Sequence, residues 1–270
     1  MKIAFFVKKP RLQADESIES LRISLEQNGC QVYRLDRENP VLESDTDILL
    51  ALGGDGTFLM ASEIVGDSGI PVMGVNMGRM GFLSDNRIED VLDAVLSEKT
   101  EIEKRTLICA DVAGSQCDIY PFALNEITVS RTGAAMLGID VCIDGEKLPT
   151  YWADGLLVAT SSGSTAYSLS VGGPICFPDA KVLIIAPVAP HNLNIRPLIV
   201  PDTAVVDVSI RSRDGSAMLT VDNRNCTIYN QTSIRISVAQ FSLNTVRLRK
   251  PNFIRALESK LFWGEDVRNQ

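Results

Sequence analysis

The sequence predicts an α/β N-terminal open sheet followed by a β-rich, sandwich-like domain, with a C-terminal helix packing back on the first domain. Three observations carry that prediction. Up to about residue 100, short apolar runs alternate with stretches of helical period, the pattern of a parallel sheet. From Glu101 onward the runs alternate apolar with polar residues and turn dipeptides punctuate them. The tail then reverts to helical spacing. The domains expected are 1–100 with the returning helix in 249–270, and 101–248.

The elements follow in order. Residues 2–7 form a first strand, and Asp15 caps a helix to Gln27 with Ile18, Leu21 and Leu25 on one face and Gly29 ending it. Residues 31–35 are a second strand. Residues 48–52 are an unbroken apolar run suited to a buried parallel strand, and helical spacing resumes over 57–65. Residues 71–75 are another buried strand, running into a glycine-containing loop over 76–83, and 88–96 form a short amphipathic helix. Later strands are expected over 107–112, 119–129, 137–143, 182–187, 205–212, 217–221 and 234–238. Asp144-Gly145, Pro201-Asp202 and Asp214-Gly215 mark turns between them. Pro251 suits a first helical turn, and Phe253, Leu257 and Leu261 then recur on one face, a stripe that has to be buried.

Composition bounds the function. The chain has 270 residues, 45% of them hydrophobic and 22% charged, with a net charge of −8. That balance argues against a non-specific nucleic-acid surface, while leaving room for a local basic patch. No segment approaches the length of a membrane span, and Met1-Lys2 leads directly into a strand, so a cytoplasmic chain is expected. The six cysteines show no C-x-x-C pair and read as reduced, packed thiols. With a single histidine, His191, and no paired cysteines, no zinc site is expected, and no side chain is assigned as a metal ligand.

The densest chemistry lies at Gly53-Gly54-Asp55-Gly56-Thr57, between a buried strand and a helix start. Such a junction aims backbone N–H groups at an anion. Gly53, Gly54 and Gly56 are expected to allow positive φ and close approach of a phosphate. Asp55 would repel a phosphate unless it holds a divalent cation or takes a proton from an attacking hydroxyl. For a bare Gly-Asp-Gly an ordinary turn is the better explanation; the buried strand in front of it favours a phosphate site. No G-x-G-x-x-G follows the first strand and no lysine closes the glycine loop, so the common dinucleotide fingerprint and the P-loop are both absent.

A second stretch runs from Trp152 to Ser170, with Asp154-Gly155 opening an apolar strand and a hydroxyl-rich turn closing it. The hydroxyls of Thr160 to Thr165 either satisfy one another or bond a polar ligand, with Tyr167 offering a ring to stack. Asn125-Glu126 adds an amide and a carboxylate of the kind that reads adenine and ribose. The residues alone leave both explanations open.

Gly53 to Thr57, Asn76 to Leu83, Asn125-Glu126, Asp154-Gly155, Gly163 to Ser168 and Gly172-Gly173-Pro174 occur here in the order in which NAD kinases carry them. Pro190 to Leu193 with Arg196-Pro197 resembles a further segment of that family. The resemblance covers roughly residues 1–262. The first motif alone is shared with lipid kinases of the diacylglycerol type and with phosphofructokinases; Gly163 to Tyr167 with the downstream Gly-Gly-Pro points to NAD. The resemblance implies transfer of the ATP γ-phosphate to the 2′-hydroxyl of the adenosine ribose of NAD, with Asp55 as general base. It implies that Gly54, Gly56 and Thr57 lie at the phosphates, carried with a divalent cation, Mg2+ or Mn2+. Phe82 would pack on adenine, Asn125 and Glu126 contact adenine and ribose, and Ser162, Thr165 and Ala166 line the adenine pocket. Asp154, Tyr167 and Ser170 would serve the nicotinamide half, in part from a neighbouring subunit, which implies a homo-oligomer, a dimer or tetramer. Two places depart from the family pattern: Ser161 where proline is usual, and Asp222-Asn223 where Asp-Gly is common. His191 belongs to the family segment but beside two prolines reads as structural. Lys8, Lys9, Arg79 and Arg196 are basic but carry no assignment.

Overall fold

The computed structural model describes residues 1–78, 81–97, 100–248 and 253–264. Arg79, Met80 and Pro251 therefore lie outside the described residues. The chain divides into two compact units, Met1–Lys104 with Leu243–Gln270, and Arg105–Ser242.

The first unit contains β1 (Lys2–Phe6), α1 (Glu16–Gln27), β2 (Gln31–Arg34), β3 (Ile48–Gly53), α2 (Asp55–Val65), β4 (Val72–Asn76), the two-residue β5 (Asn86–Arg87) and α3 (Ile88–Leu96). Its strands lie in the order β2-β1-β3-β4, every pair parallel. All six residues of β3 are buried, which a strand covered on both faces requires. Asp15 caps α1 by accepting from Ser17 N at 3.0 Å. Ile18, Leu21 and Leu25 pack with Ile3, Phe5 and Leu50 of β1 and β3. Ile18 and Leu25 are fully buried, each contributing at most about 1.5–3 kcal/mol. Gly29, at φ 81°, turns the chain out of the helix, where a side chain would be strained.

The chain continues through β6 (Glu101–Ala113), β7 (Phe122–Ala123), β8 (Glu126–Arg131), β9 (Leu137–Ile143), β10 (Glu146–Lys147), β11 (Tyr151–Ala153), β12 (Gly155–Thr160) and the one-turn α4 (Tyr167–Ser170). Then come β13 (Val182–Val188), β14 (Leu198–Pro201), β15 (Val206–Arg211), β16 (Ser216–Val221), β17 (Arg224–Tyr229), β18 (Ser233–Arg247) and α5 (Phe253–Leu261). In the second unit an antiparallel sheet runs β14-β13-β12-β8-β16-β17. A second sheet there runs β10-β9-β15 and on to the opening residues of β18. One core joins them: Ile127, Leu156, Leu183 and Leu219 from the first pack with Ile139, Val141, Val208 and Ile234 from the second. That is a sandwich, as the alternating pattern requires.

The last residues of β18 and α5 belong to the first unit, where Thr245 pairs in parallel with Val72. Leu257 is buried and Phe253 and Leu261 are half-buried, so the apolar stripe of the tail is covered as expected.

Two expectations need correcting. The strand over 119–129 is broken into β7 and β8, because the N–H groups of Leu124 and Asn125 leave the ladder for the Asp222 carboxylate. The cysteines are not all thiols: Cys117 and Cys226 are joined in a disulfide with Cα atoms 5.8 Å apart, and Cys30, Cys109, Cys142 and Cys176 stay free.

Candidate active site

In the first unit, β3 ends at Gly53 and α2 begins with Asp55 as its first residue. Gly54 is the cap, its carbonyl accepting from Thr57 N at 2.8 Å and Phe58 N at 3.2 Å. The expectation of positive φ is wrong for this turn: Gly54 is extended at φ −109°, and neither Gly53 nor Gly56 is left-handed. Only Gly53 is needed for space. A Cβ on Gly53 would collide with the side chain of the buried Thr57, so Thr57 faces its own turn. Among the described residues nothing lies within 4 Å of a Cβ built on Gly54 or Gly56, which leaves open ground before the helix N-terminus.

The Asp55 carboxylate is fixed by backbone donors. Phe82 N donates to Oδ2 at 2.9 Å, and Leu83 N and Ser84 N donate to Oδ1 at 3.1 and 2.9 Å. A side chain on Gly81 would run into that carboxylate, so only glycine fits. The loop after β4 is tied down further. Met77 N donates to Gly53 O at 3.2 Å, the Asn76 amide to Ser84 O at 3.2 Å, and the Asn86 amide to Gly74 O at 2.8 Å. Phe82 is half-buried, and the Lys260 ammonium of α5 stands 4.8 Å from its ring centre. A cavity of about 440 Å³ opens beside this loop, among Asn76, Gly78, Arg87, Ile88, Glu89 and Asp90; none of the ligand-contact residues expected from the sequence lines it.

In the second unit, Asp222 sits in the β16–β17 turn at φ 51°. Its carboxylate accepts from Leu124 N at 2.8 Å, Asn125 N at 2.9 Å and Glu126 N at 3.2 Å. Asp222 N returns a bond to Glu126 O at 3.0 Å. The Asn125-Glu126 corner is thus built by a side chain almost a hundred residues away. Burial raises the Asp222 carboxyl above its ordinary range, against the three N–H donors and Arg224 that lower it. Glu126 is pushed up to about 8, first by burial and then by the Asp222 charge, with Tyr167 N–H acting the other way. Its Oε2 has no hydrogen-bond partner among the described residues. A buried polar atom in that state marks a place where a ligand can supply the missing bond.

The hydroxyl cluster divides in two. Thr160 Oγ1 bonds Leu124 O, Ser161 Oγ bonds Pro178 O at 2.8 Å, and Ser164 Oγ bonds Cys176 O at 3.2 Å, so these three hold the turn. Gly163 packs so closely on Asn125 O that no side chain fits. Ser162 is buried and receives Arg105 Nη1 at 3.3 Å, while Thr165 and Ala166 are part-exposed and Tyr167 and Ser170 exposed. Asp154 pairs with Arg131, Oδ1 to Nε 2.7 Å. His191 is exposed, with its backbone N–H donating to Trp152 O at 2.8 Å; Arg196 donates to Leu193 O and Ile195 O. Within each unit, the structure brings together Gly54, Asp55, Gly56 and Phe82, and separately Asn125, Glu126, Ser162, Thr165 and Ala166.

Comparison with known proteins decides the family. The family model described as the ATP-NAD kinase N-terminal domain matches residues 6–99, and that of the ATP-NAD kinase C-terminal domain matches 124–248. The chain belongs to the NAD kinase family. An NAD kinase of Flavobacterium psychrophilum is 38% identical over the full length of both chains. One of Bacteroides fragilis is 40% identical over 83% of this chain and 79% of its own. Among solved structures, an NAD kinase from Archaeoglobus fulgidus in complex with ATP superposes with a TM-score of 0.78, at 25% identity over 97% of this chain and 99% of that one. Yeast NADH kinase complexed with NADH shares the fold, with a TM-score of 0.88 at 24% identity over 100% of this chain and 90% of that one.

Seen in an NAD kinase fold, two residues gain weight that sequence reading did not give them. Asp222 builds the Asn125-Glu126 corner; its signal was an aspartate in a tight hairpin turn, flagged only as a departure. Lys260 gave no signal beyond a basic residue near a helix end.

Proposed function

We propose that this chain transfers the γ-phosphoryl group of ATP to the 2′-hydroxyl of the adenosine ribose of NAD, giving NADP, with Asp55 as general base. The observation that carries this reading is the setting of Asp55. It is the only carboxylate in the Gly53–Thr57 turn, it stands at an open helix N-terminus, and three backbone N–H groups fix its orientation. Oδ2 accepts one N–H and keeps a second lone pair for the hydroxyl proton. As the proton passes to Asp55, the ribose oxygen bonds to Pγ, the bond from Pγ to the bridging oxygen breaks, and ADP leaves. Phosphoryl transfer asks the protein for positioning and charge stabilisation, so no His or Cys nucleophile is required.

The remaining roles belong to the same proposal. Gly54 and Gly56 face the phosphates and Phe82 packs on adenine. Asn125 and Glu126 read adenine and ribose, supported by the unpartnered Oε2, and Ser162, Thr165 and Ala166 line that pocket. Asp154, Tyr167 and Ser170 serve the nicotinamide half, with the exposure of Tyr167 and Ser170 suiting a contribution across a homo-oligomer. Among the described residues no three His, Cys, Asp or Glu side chains gather as a metal cage. A Mg2+ or Mn2+ ion would arrive on the triphosphate, held chiefly by phosphate oxygens and water, and would neutralise its charge. No helix among the described residues is long and apolar enough to cross a membrane, and a cytoplasmic setting is part of the proposal.

The test is NADP formation from NAD and ATP by the wild-type chain and by Asp55→Asn. The variant should lose turnover by about 10²–10⁴-fold, the usual contribution of a general base, while NAD binding is kept. Near-normal turnover in the variant would remove Asp55 from the proton transfer.

A further inference from the structure

The glycine turn has no lysine of its own, yet the reaction proposed above gathers negative charge in front of it. The structure brings one from the other end of the chain. Lys260 lies near the end of α5, with Nζ 4.8 Å from the centre of the Phe82 ring. Phe82 is also the residue whose N–H meets Asp55 Oδ2 at 2.9 Å, so a single residue links the ammonium to the carboxylate.

The lysine is poorly served where it stands. It is half-buried, and among the described residues no carboxylate comes within ion-pair distance of Nζ. Burial lowers its pKa, with Asp85 and Asp55 pulling upward and Arg247 downward. Asp85 is already engaged, 2.9 Å from Arg247 Nη1, and Glu103 lies 2.8 Å from Arg247 Nε. Asp85 and Asp55 are thus held by arginine and by backbone, and among the described residues the contact left to Lys260 is an aromatic face. A cation out of water with a ring for a partner gains more from an anion that can accept its hydrogen bonds. The four-carbon stem lets the ammonium swing while the helix stays in place.

We propose that Lys260 is the phosphate-binding lysine of this active site, leaving the Phe82 ring when nucleotide enters and donating to the phosphoryl oxygens of ATP at the Gly53–Thr57 turn. This rests on the function proposed above and adds a catalytic residue to it. The departure of Lys260 also frees the ring face that adenine would use.

The experiment compares wild type, Lys260→Met and Lys260→Arg. NADP formation is followed with ATP varied at saturating NAD and with NAD varied at saturating ATP. ATP affinity is measured separately without NAD, and thermal unfolding checks the fold. Lys260→Met should lose kcat/KM for ATP on the order of 10²-fold, with KM for NAD within about twofold and Lys260→Arg recovering most of the loss. ATP affinity should fall in Lys260→Met as well. An unchanged kcat/KM for ATP in a folded Lys260→Met would overturn the assignment. So would a loss confined to KM for NAD, which would make the lysine a packing partner of Phe82. A lowered melting temperature shared by both variants, with no rescue by arginine, would show a structural role and overturn it too. If the wild type forms no NADP, the proposed function fails, and the ATP-affinity comparison still decides the role of Lys260.

Discussion

Glu126 shows how one buried carboxyl couples local chemistry to the stability of the fold. Burial first and the Asp222 charge second push it from an ordinary 4.5 up to about 8. Below 4.5 the folded and unfolded chains both hold this proton. Between 4.5 and about 8 only the folded chain does, so stability falls as pH rises through that window and levels off above it. Asp222, also raised, adds to the trend, while Arg224 opposes it. Glu126→Gln should therefore flatten the melting temperature between pH 5 and 8 and melt above wild type at pH 8. Parallel pH profiles for the two proteins would show that Glu126 titrates like an exposed acid. The identity of the Asn125-Glu126 pair was legible in the sequence as an amide beside a carboxylate. Its protonation was not, because the burial and the second carboxyl come from a turn far along the chain.

Among elements, the strand, glycine turn and helix around Asp55 could be read from residues alone, since an apolar run and a change of period are local signals. The work of the glycines could not. They were expected to supply positive φ, whereas Gly53 makes room for Thr57, and Gly81, on another loop, makes room for the Asp55 carboxylate. The break between β7 and β8 was hidden for the same reason: its cause, Asp222, is a tertiary contact. These contacts make the loop 81–84 a positioning element for Asp55. Gly81→Ala should push the carboxylate off its three N–H donors, and a displacement of the order of 1 Å costs about 10²-fold in rate. The expected result is a fall in kcat together with a lowered melting temperature, since three hydrogen bonds to a charged group are lost. Unaltered kcat would mean that the loop adjusts and does not set the geometry of Asp55.

At the scale of the whole molecule, the first unit is assembled from both ends of the chain and the second from its middle. Fold class and the returning tail followed from where the sequence changes period, which is why the architecture was legible without any structure. The disulfide was not. Cys117 and Cys226 are 109 residues apart, and only the placement of β17 brings their Cα atoms to 5.8 Å, within bridging range. A bridge closing so long a loop restricts the unfolded chain, and loss of such a bridge typically costs about 2–4 kcal/mol. Most cytosolic proteins are kept reduced, so this bridge and a cytoplasmic setting pull in opposite directions. Thiol titration of the unfolded protein, prepared without reductant, separates them. Four reactive thiols are expected, those of Cys30, Cys109, Cys142 and Cys176, and Cys226→Ser should lower the urea midpoint only in the absence of reductant. Six thiols, with equal midpoints for variant and wild type, would return Cys117 and Cys226 to packed thiols and leave the sandwich held by its apolar core alone.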